Sequence, residues 1–138
     1  KLLAFGAFPD PGNLPDWVEY HHSPSGASLR ALYNRMSLFV SASWEEGWGL
    51  TPCEALLCGC PIVVSDNGGH QEFALAEKTA LLFPVKDIPA MVSAICRVLA
   101  DPALRQQLAT QGEEYVRRLT WARATANLIK VFEDGYEQ

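Results

Sequence analysis

Five short apolar runs are spaced along this 138-residue chain, at Leu2–Ala7, Trp17–His21, Leu38–Ala42, Ile62–Ser65 and Ala80–Val85. They are continuous rather than alternating, the pattern of strands covered on both faces. Helical patterns separate several of them. Ser28–Met36 sets Leu29, Leu32 and Tyr33 on one face. Thr51–Cys58 reads as a second helix, stopped by Gly59 with Pro61 just beyond. Further helices follow the last run. Asp87 can cap "IPAMVSAICRVLA", Asp101-Pro102 opens "ALRQQLATQGEEYVRRL", and Thr120 can cap a closing helix striped by Leu128, Val131 and Phe132. This alternation predicts an α/β fold, a parallel sheet with helices on its faces.

One link strains that scheme. Only "FPDPGNLPD" joins the first two runs, with three prolines and no helical period. Parallel strands usually need a crossover of about a dozen residues or more. The link is therefore either a stretched-out loop crossover or a sign that the first strand is misplaced. There is no repeat, low-complexity tract or linker, and the length suits a single domain, 1–138, with a sizeable core. Lys1 stands directly at a strand, and the short apolar run Leu2–Phe8 is followed by prolines and an aspartate without a small-residue cleavage site, so it does not read as a secretion signal. The chain thus reads as a piece of a longer protein, incomplete at its N-terminus.

The formal net charge is −5 and Lys and Arg are not clustered, so the electrostatic footprint of nucleic-acid binding is missing. The longest apolar, Gly or Pro stretch, Ala55–Val64, is too short to span a bilayer. Cys53, Cys58, Cys60 and Cys96 form no CxxC pair and read as buried thiols in a reducing compartment. Adjacent His21 and His22 point to opposite faces of a strand, which argues against joint metal ligation. Trp17, Tyr33 and Trp121 lie in apolar patterns and are expected in the core. Trp48 either packs its loop or walls a site.

The chemistry concentrates in "SWEEGWGLTPCEALLCGCPIVVSDNGG", where Glu46 and Glu54 bracket a glycine-rich loop and a helix start. Ser43–Gly49 leaves the carboxyl end of a strand, where ligands sit in open parallel sheets. Gly47 and Gly49 let the backbone turn tightly and approach a ligand closely. The helix start offers free N–H groups and a positive dipole end, which favour a phosphate. Glu54 also has a reading without a ligand: Thr51-Pro52-Cys53-Glu54 matches a capping box, with Thr51 at the N-cap and Glu54 at N3. Glu46 is either solvated or ligand-facing. A second loop at the same edge, "SDNGGHQEF", carries Gly68 and Gly69 and a helix-like continuation. His70 beside them either touches the ligand or lies on the surface. Neither a GxGxxG fingerprint nor a Walker pattern occurs.

Taken jointly, "EEGWGLTPCEALLCGCPIVVSDNGGHQEF" closely resembles the signature of the retaining, GT-B-fold, nucleotide-sugar-dependent glycosyltransferases of family four, the glycosyl transferases group 1. That signature runs Glu-Gly-Phe-Gly-Leu, then Glu-Ala, Gly-x-Pro-Val-Val and Gly-Gly-x-x-Glu, with Trp48 here replacing phenylalanine. The likeness extends to "ALYNRMSLFVSAS" before it, to "TALLFPVKDIPAMVSAICRVLADPALRQQL" after it, and to "TWARATANLIKVFEDGYEQ" as the closing helix.

The resemblance implies a Rossmann-like parallel sheet with helices on both faces, the C-terminal, donor-binding half of a GT-B fold. It implies that Glu46 accepts hydrogen bonds from the donor sugar and Glu54 from the ribose hydroxyls. Amides around Gly49, Leu50 and Thr51 would face the diphosphate, enclosed by the Gly47 and Gly68-Gly69 loops, with His22 near the base. A carboxylate suits such work because it accepts from two hydroxyls at once. The implied donor is a nucleotide-diphosphate sugar, with no metal and no covalently bound cofactor. The acceptor, a saccharide or lipid, would be held by an N-terminal domain outside this chain. The setting would be the cytoplasm or the cytoplasmic face of a membrane, with peripheral association.

Two departures bear on activity. The family's Arg/Lys pair that neutralises the diphosphate lies upstream of Lys1, and a proline-rich link replaces the commoner helix. The isolated chain is therefore expected to bind a nucleotide weakly and not to turn over. Other readings are a non-catalytic GT-B-like assembly or regulatory module, or a sugar-nucleotide epimerase of the same architecture.

Overall fold

The computed structural model describes residues 1–136. β1 (Leu2–Gly6) pairs with β2 (Val18–His22), and β4 (Ile62–Asp66) lies between β3 (Phe39–Ser41) and β5 (Ala80–Pro84); every pairing is parallel. The first strand is where the sequence puts it, and the proline-rich link is a loop crossover. Tyr20 and His22 pin its start, donating to Phe8 O at 2.6 Å and to Ala7 O at 3.1 Å.

The sheet is in two parts, β1-β2 and β3-β4-β5. Three aromatic rings fill the seam between them. Phe5, on β1, lies 5.8 Å from Tyr33 and 6.2 Å from Phe39, and Tyr33 lies 5.8 Å from Phe39.

The core follows from the two-residue period of β4. Ile62 and Val64 face one side, packing with Leu56 of α2 (Leu50–Leu57) and with Phe73. Val63 faces the other, with Leu81 and Phe83 of β5, Val98 of α3 (Ile88–Ala100), and Leu104 and Leu108 of α4 (Pro102–Val116). The three-stranded sheet is thus covered on both faces. Both aspartate caps form: Asp87 accepts from the Ala90 amide at 2.9 Å, and Asp101 from Ala103 and Leu104 at 2.9 and 3.0 Å. Gly59, at φ +70, ends α2 as expected.

Two core expectations fail. Trp17 is 62% exposed and Trp121 is 89% exposed. Trp17 immediately precedes β2. Trp121 opens α5 (Trp121–Tyr136), where every residue from Trp121 to Gly135 is exposed, the stripe of Leu128, Val131 and Phe132 included. The apolar pattern correctly marks a helix, but among the described residues nothing covers it. The closing motif's last residues, Glu137 and Gln138, lie outside those described. No described helix is long and apolar enough to cross a membrane.

Cys53 and Cys60 are buried, and burial pushes their thiols up to about 11 and about 12; Cys96 is exposed. Glu19 on β2 ties its strand to α1 and to Lys1. Its carboxylate meets Lys1 at 2.6 Å, His21 at 2.7 Å, and Arg35 at the end of α1 (Gly26–Arg35) at 3.0 Å. Arg35 first, then Lys1 and His21, hold its pKa down from 4.5 to about 2. Because the folded value is the lower one, this contribution is full above the ordinary carboxylate range and fades as pH falls toward 2. Thermal melts of the parent and Glu19→Gln should therefore differ at pH 6 and converge near pH 2.

Candidate functional site

Two loops meet at the carboxyl edge of the three-stranded sheet. One runs from β3 to α2 through Glu46; the other leaves β4 through Asn67, Gly68 and Gly69. Ser43 O joins them, accepting from Ser65 Oγ and, at 3.2 Å, from Asn67 Nδ2. Gly69 then lies directly against the Glu46 backbone. A Cβ on Gly69 would stand 2.7 Å from the Glu46 carbonyl carbon and nearer still to its oxygen. The two glycine loops singled out in the sequence are therefore one structure.

The start of α2 differs from the sequence reading. Gly49, not Thr51, is the N-cap, at φ +89, and the helix begins at Leu50. The left-handed turn at Gly49 lets its carbonyl reach the Cys53 amide (3.4 Å), so the helix starts early. Glu54 then sits too deep in the helix to reach back to an N-cap amide, and no capping box forms. Instead Glu54 Oε2 accepts from the Tyr33 hydroxyl at 3.0 Å. Among the described residues the Leu50 and Thr51 amides have no acceptor, as the first turn of a helix requires.

His70 is not a surface residue: it is 1% exposed. Its Nδ1 donates to Ser65 O at 2.9 Å, while Nε2 is buried without a partner. The ring lies beneath Gly49, where a Cβ would come within 2.6 Å of Cδ2 and 2.8 Å of Nε2. Phe73 supports this floor, 5.8 Å from the His70 ring and 6.0 Å from Trp48. Trp48 thus packs the loop. The helix-like continuation after Gly69 amounts to turns only. Thr79 Oγ1 captures the Leu75 amide at 2.7 Å and donates to Phe73 O, which diverts the chain from a helical path.

Glu46 is half-buried and its carboxylate has no hydrogen-bond partner among the described residues. Gly47 and Gly68 are exposed at the loop tips, and His22 ends β2, tied to Ala7. At the same edge Lys86 lies over the Trp44 ring, 4.2 Å from its centroid. A groove of about 250 Å³ between α1 and α2 is lined by Gly26, Leu29, Arg30, Tyr33, Glu54 and Leu57, with Cys58 at its end. A larger one, about 910 Å³, runs from Trp48 and Leu50 to Tyr115, Leu119 and Trp121; neither glutamate lines it. Sequence reasoning assigned Tyr33 to the core alone, and a partner 21 residues away leaves no local signal.

The edge combines free helix amides, the unpartnered Glu46 carboxylate and close-packed glycine loops, while Glu54, with spare acceptor capacity, lines the adjoining groove between α1 and α2. Such a surface can hold a phosphorylated, polyhydroxylated ligand. The chain also resembles known proteins. Over 122 residues the chain is 29% identical to the D-inositol 3-phosphate glycosyltransferase of Salinispora tropica, covering 88% of this chain and 25% of that protein. Over 91 residues it is 34% identical to the lipopolysaccharide core biosynthesis mannosyltransferase LpcC of Rhizobium leguminosarum, covering 66% of this chain and 25% of that protein. The chain thus spans about a quarter of the length of these curated relatives. Sucrose-phosphate synthase of Thermosynechococcus elongatus superposes with a TM-score of 0.74 at 31% identity, over 87% of this chain and 30% of that one. The structural neighbours are GT-B glycosyltransferases, in keeping with the expected α/β fold. The profile of the glycosyl transferases group 1 matches residues 13–115, and the chain belongs to that family.

Proposed function

We propose that this chain is the donor-binding half of a retaining glycosyltransferase, acting in the cytoplasm or at the cytoplasmic face of a membrane. Glu54 holds the ribose hydroxyls of a nucleotide-diphosphate sugar and Glu46 the hydroxyls of the sugar. The amides of Leu50 and Thr51 face the diphosphate and stabilise the charge that develops as it leaves. The acceptor attacks from the same face, held by a part of the protein outside this chain, and no metal takes part. By itself the chain binds nucleotide weakly and does not turn over.

The observation that carries this reading is the state of Glu54. It stands within the first turns of α2, below unpaired amides, anchored by one neutral hydroxyl and unpaired with any cation among the described residues. In the whole protein, Glu54→Gln is expected to raise the KM for the sugar nucleotide about tenfold or more, because a carboxylate's charge-assisted bonds are the strong ones. Glu46→Gln is expected to act mainly on kcat. Steady-state kinetics with UDP-, GDP- and ADP-sugars measure both, and unchanged constants in both variants would contradict the assignment.

A further inference from the structure

Tyr33 lies on α1 at 2% exposure, its ring set edge-on against Phe5 and Phe39. Packing fixes the ring and so the place of its hydroxyl oxygen, which lies 3.0 Å from Glu54 Oε2 and donates to it. We infer that Tyr33 is a positioning residue for nucleotide recognition, holding the Glu54 carboxylate so that its free acceptor sites meet the vicinal diol of a ribose. This rests on the role proposed above for Glu54.

Four observations support it. A carboxylate offers about four acceptor sites, and Tyr33 takes one. Glu19 shows what a structural carboxylate looks like in this fold: it is consumed by Lys1, Arg35 and His21. Glu54 has no such partners, although Arg30 lines the same groove. Burial and the neighbouring Glu54 carboxylate also push the Tyr33 hydroxyl well above its ordinary pKa, so it stays a donor at every working pH. Tyr33 and Glu54 both line the groove between α1 and α2.

The test is calorimetric binding of UDP, GDP and ADP, each beside its 2′,3′-dideoxy counterpart, to the whole protein. Tyr33→Phe keeps the packed ring and removes only the donor. It should weaken the ribonucleotide roughly tenfold, the range of a hydrogen bond to a charged group, and leave the dideoxy form unchanged. In a Glu54→Gln background the same change should have no effect on the ribonucleotide. Equal weakening of both forms, or of neither, overturns the inference and leaves Tyr33 a packing residue. If Glu54→Gln abolishes the ribose preference but Tyr33→Phe does not, only the inference falls. If the parent protein shows no ribose preference, the reading of Glu54 fails and takes this one with it.

Discussion

Replacing Gly69 with alanine should remove sugar-nucleotide binding and destabilise the fold by about 1–3 kcal/mol or more, the range for overpacking a tight site. The new methyl would meet the Glu46 backbone carbonyl rather than a side chain that can rotate away. One of the two loops must therefore move, opening the bonds to Ser43 O and carrying Glu46 with it. Gly68 is the control. Its φ of +82 makes alanine strained by about 1 kcal/mol, but nothing lies within 4 Å of the added atom. Urea midpoints and donor KM should separate the two: Gly68→Ala loses some stability, while Gly69→Ala loses stability and binding together. A Gly69→Ala protein with unchanged KM would mean that the loop contact does not seat Glu46.

Phe73→Ala should cost about 3–5 kcal/mol, as for other large buried aromatics. Phe73 is fully buried and packs with Ile62 and Val64 while supporting both Trp48 and His70. Its loss removes a large share of a stability that in domains is typically about 5–15 kcal/mol. It should also loosen the loop over the site, shifting Trp48 fluorescence before global unfolding. Phe132→Ala on exposed α5 should stay within about 0.5 kcal/mol. Denaturant unfolding of the two variants makes the comparison, and equal small effects would contradict the core described above.

The parts of the fold legible in the sequence are those fixed by short-range chemistry. The apolar runs mark the strands, Asp87 and Asp101 mark caps, and Gly59 marks a helix end, because each depends on neighbours within a turn or two. The start of α2 is not legible in the sequence, because a left-handed Gly49 and a true Thr51 N-cap leave nearly the same residue pattern. The Tyr33–Glu54 bond was invisible because it joins residues 21 apart through packing between α1 and α2. Trp17 and Trp121 were misplaced because an apolar pattern states which face seeks cover, not whether a covering surface is at hand. The pairing of Gly69 with Glu46 had a weak signal, two glycine loops at one sheet edge, but the contact itself is a three-dimensional fact.

The most direct measurement is an NMR titration of this chain with UDP, GDP, ADP and dTDP, carried to concentrations on the order of millimolar and repeated on Glu54→Gln. The account predicts saturable shifts at the amides of Gly47 to Thr51 and at Gly68 and Gly69, largest for one base and lost in the variant. Shifts confined to the larger groove around Trp121, or a titration indifferent to Glu54→Gln, would contradict it.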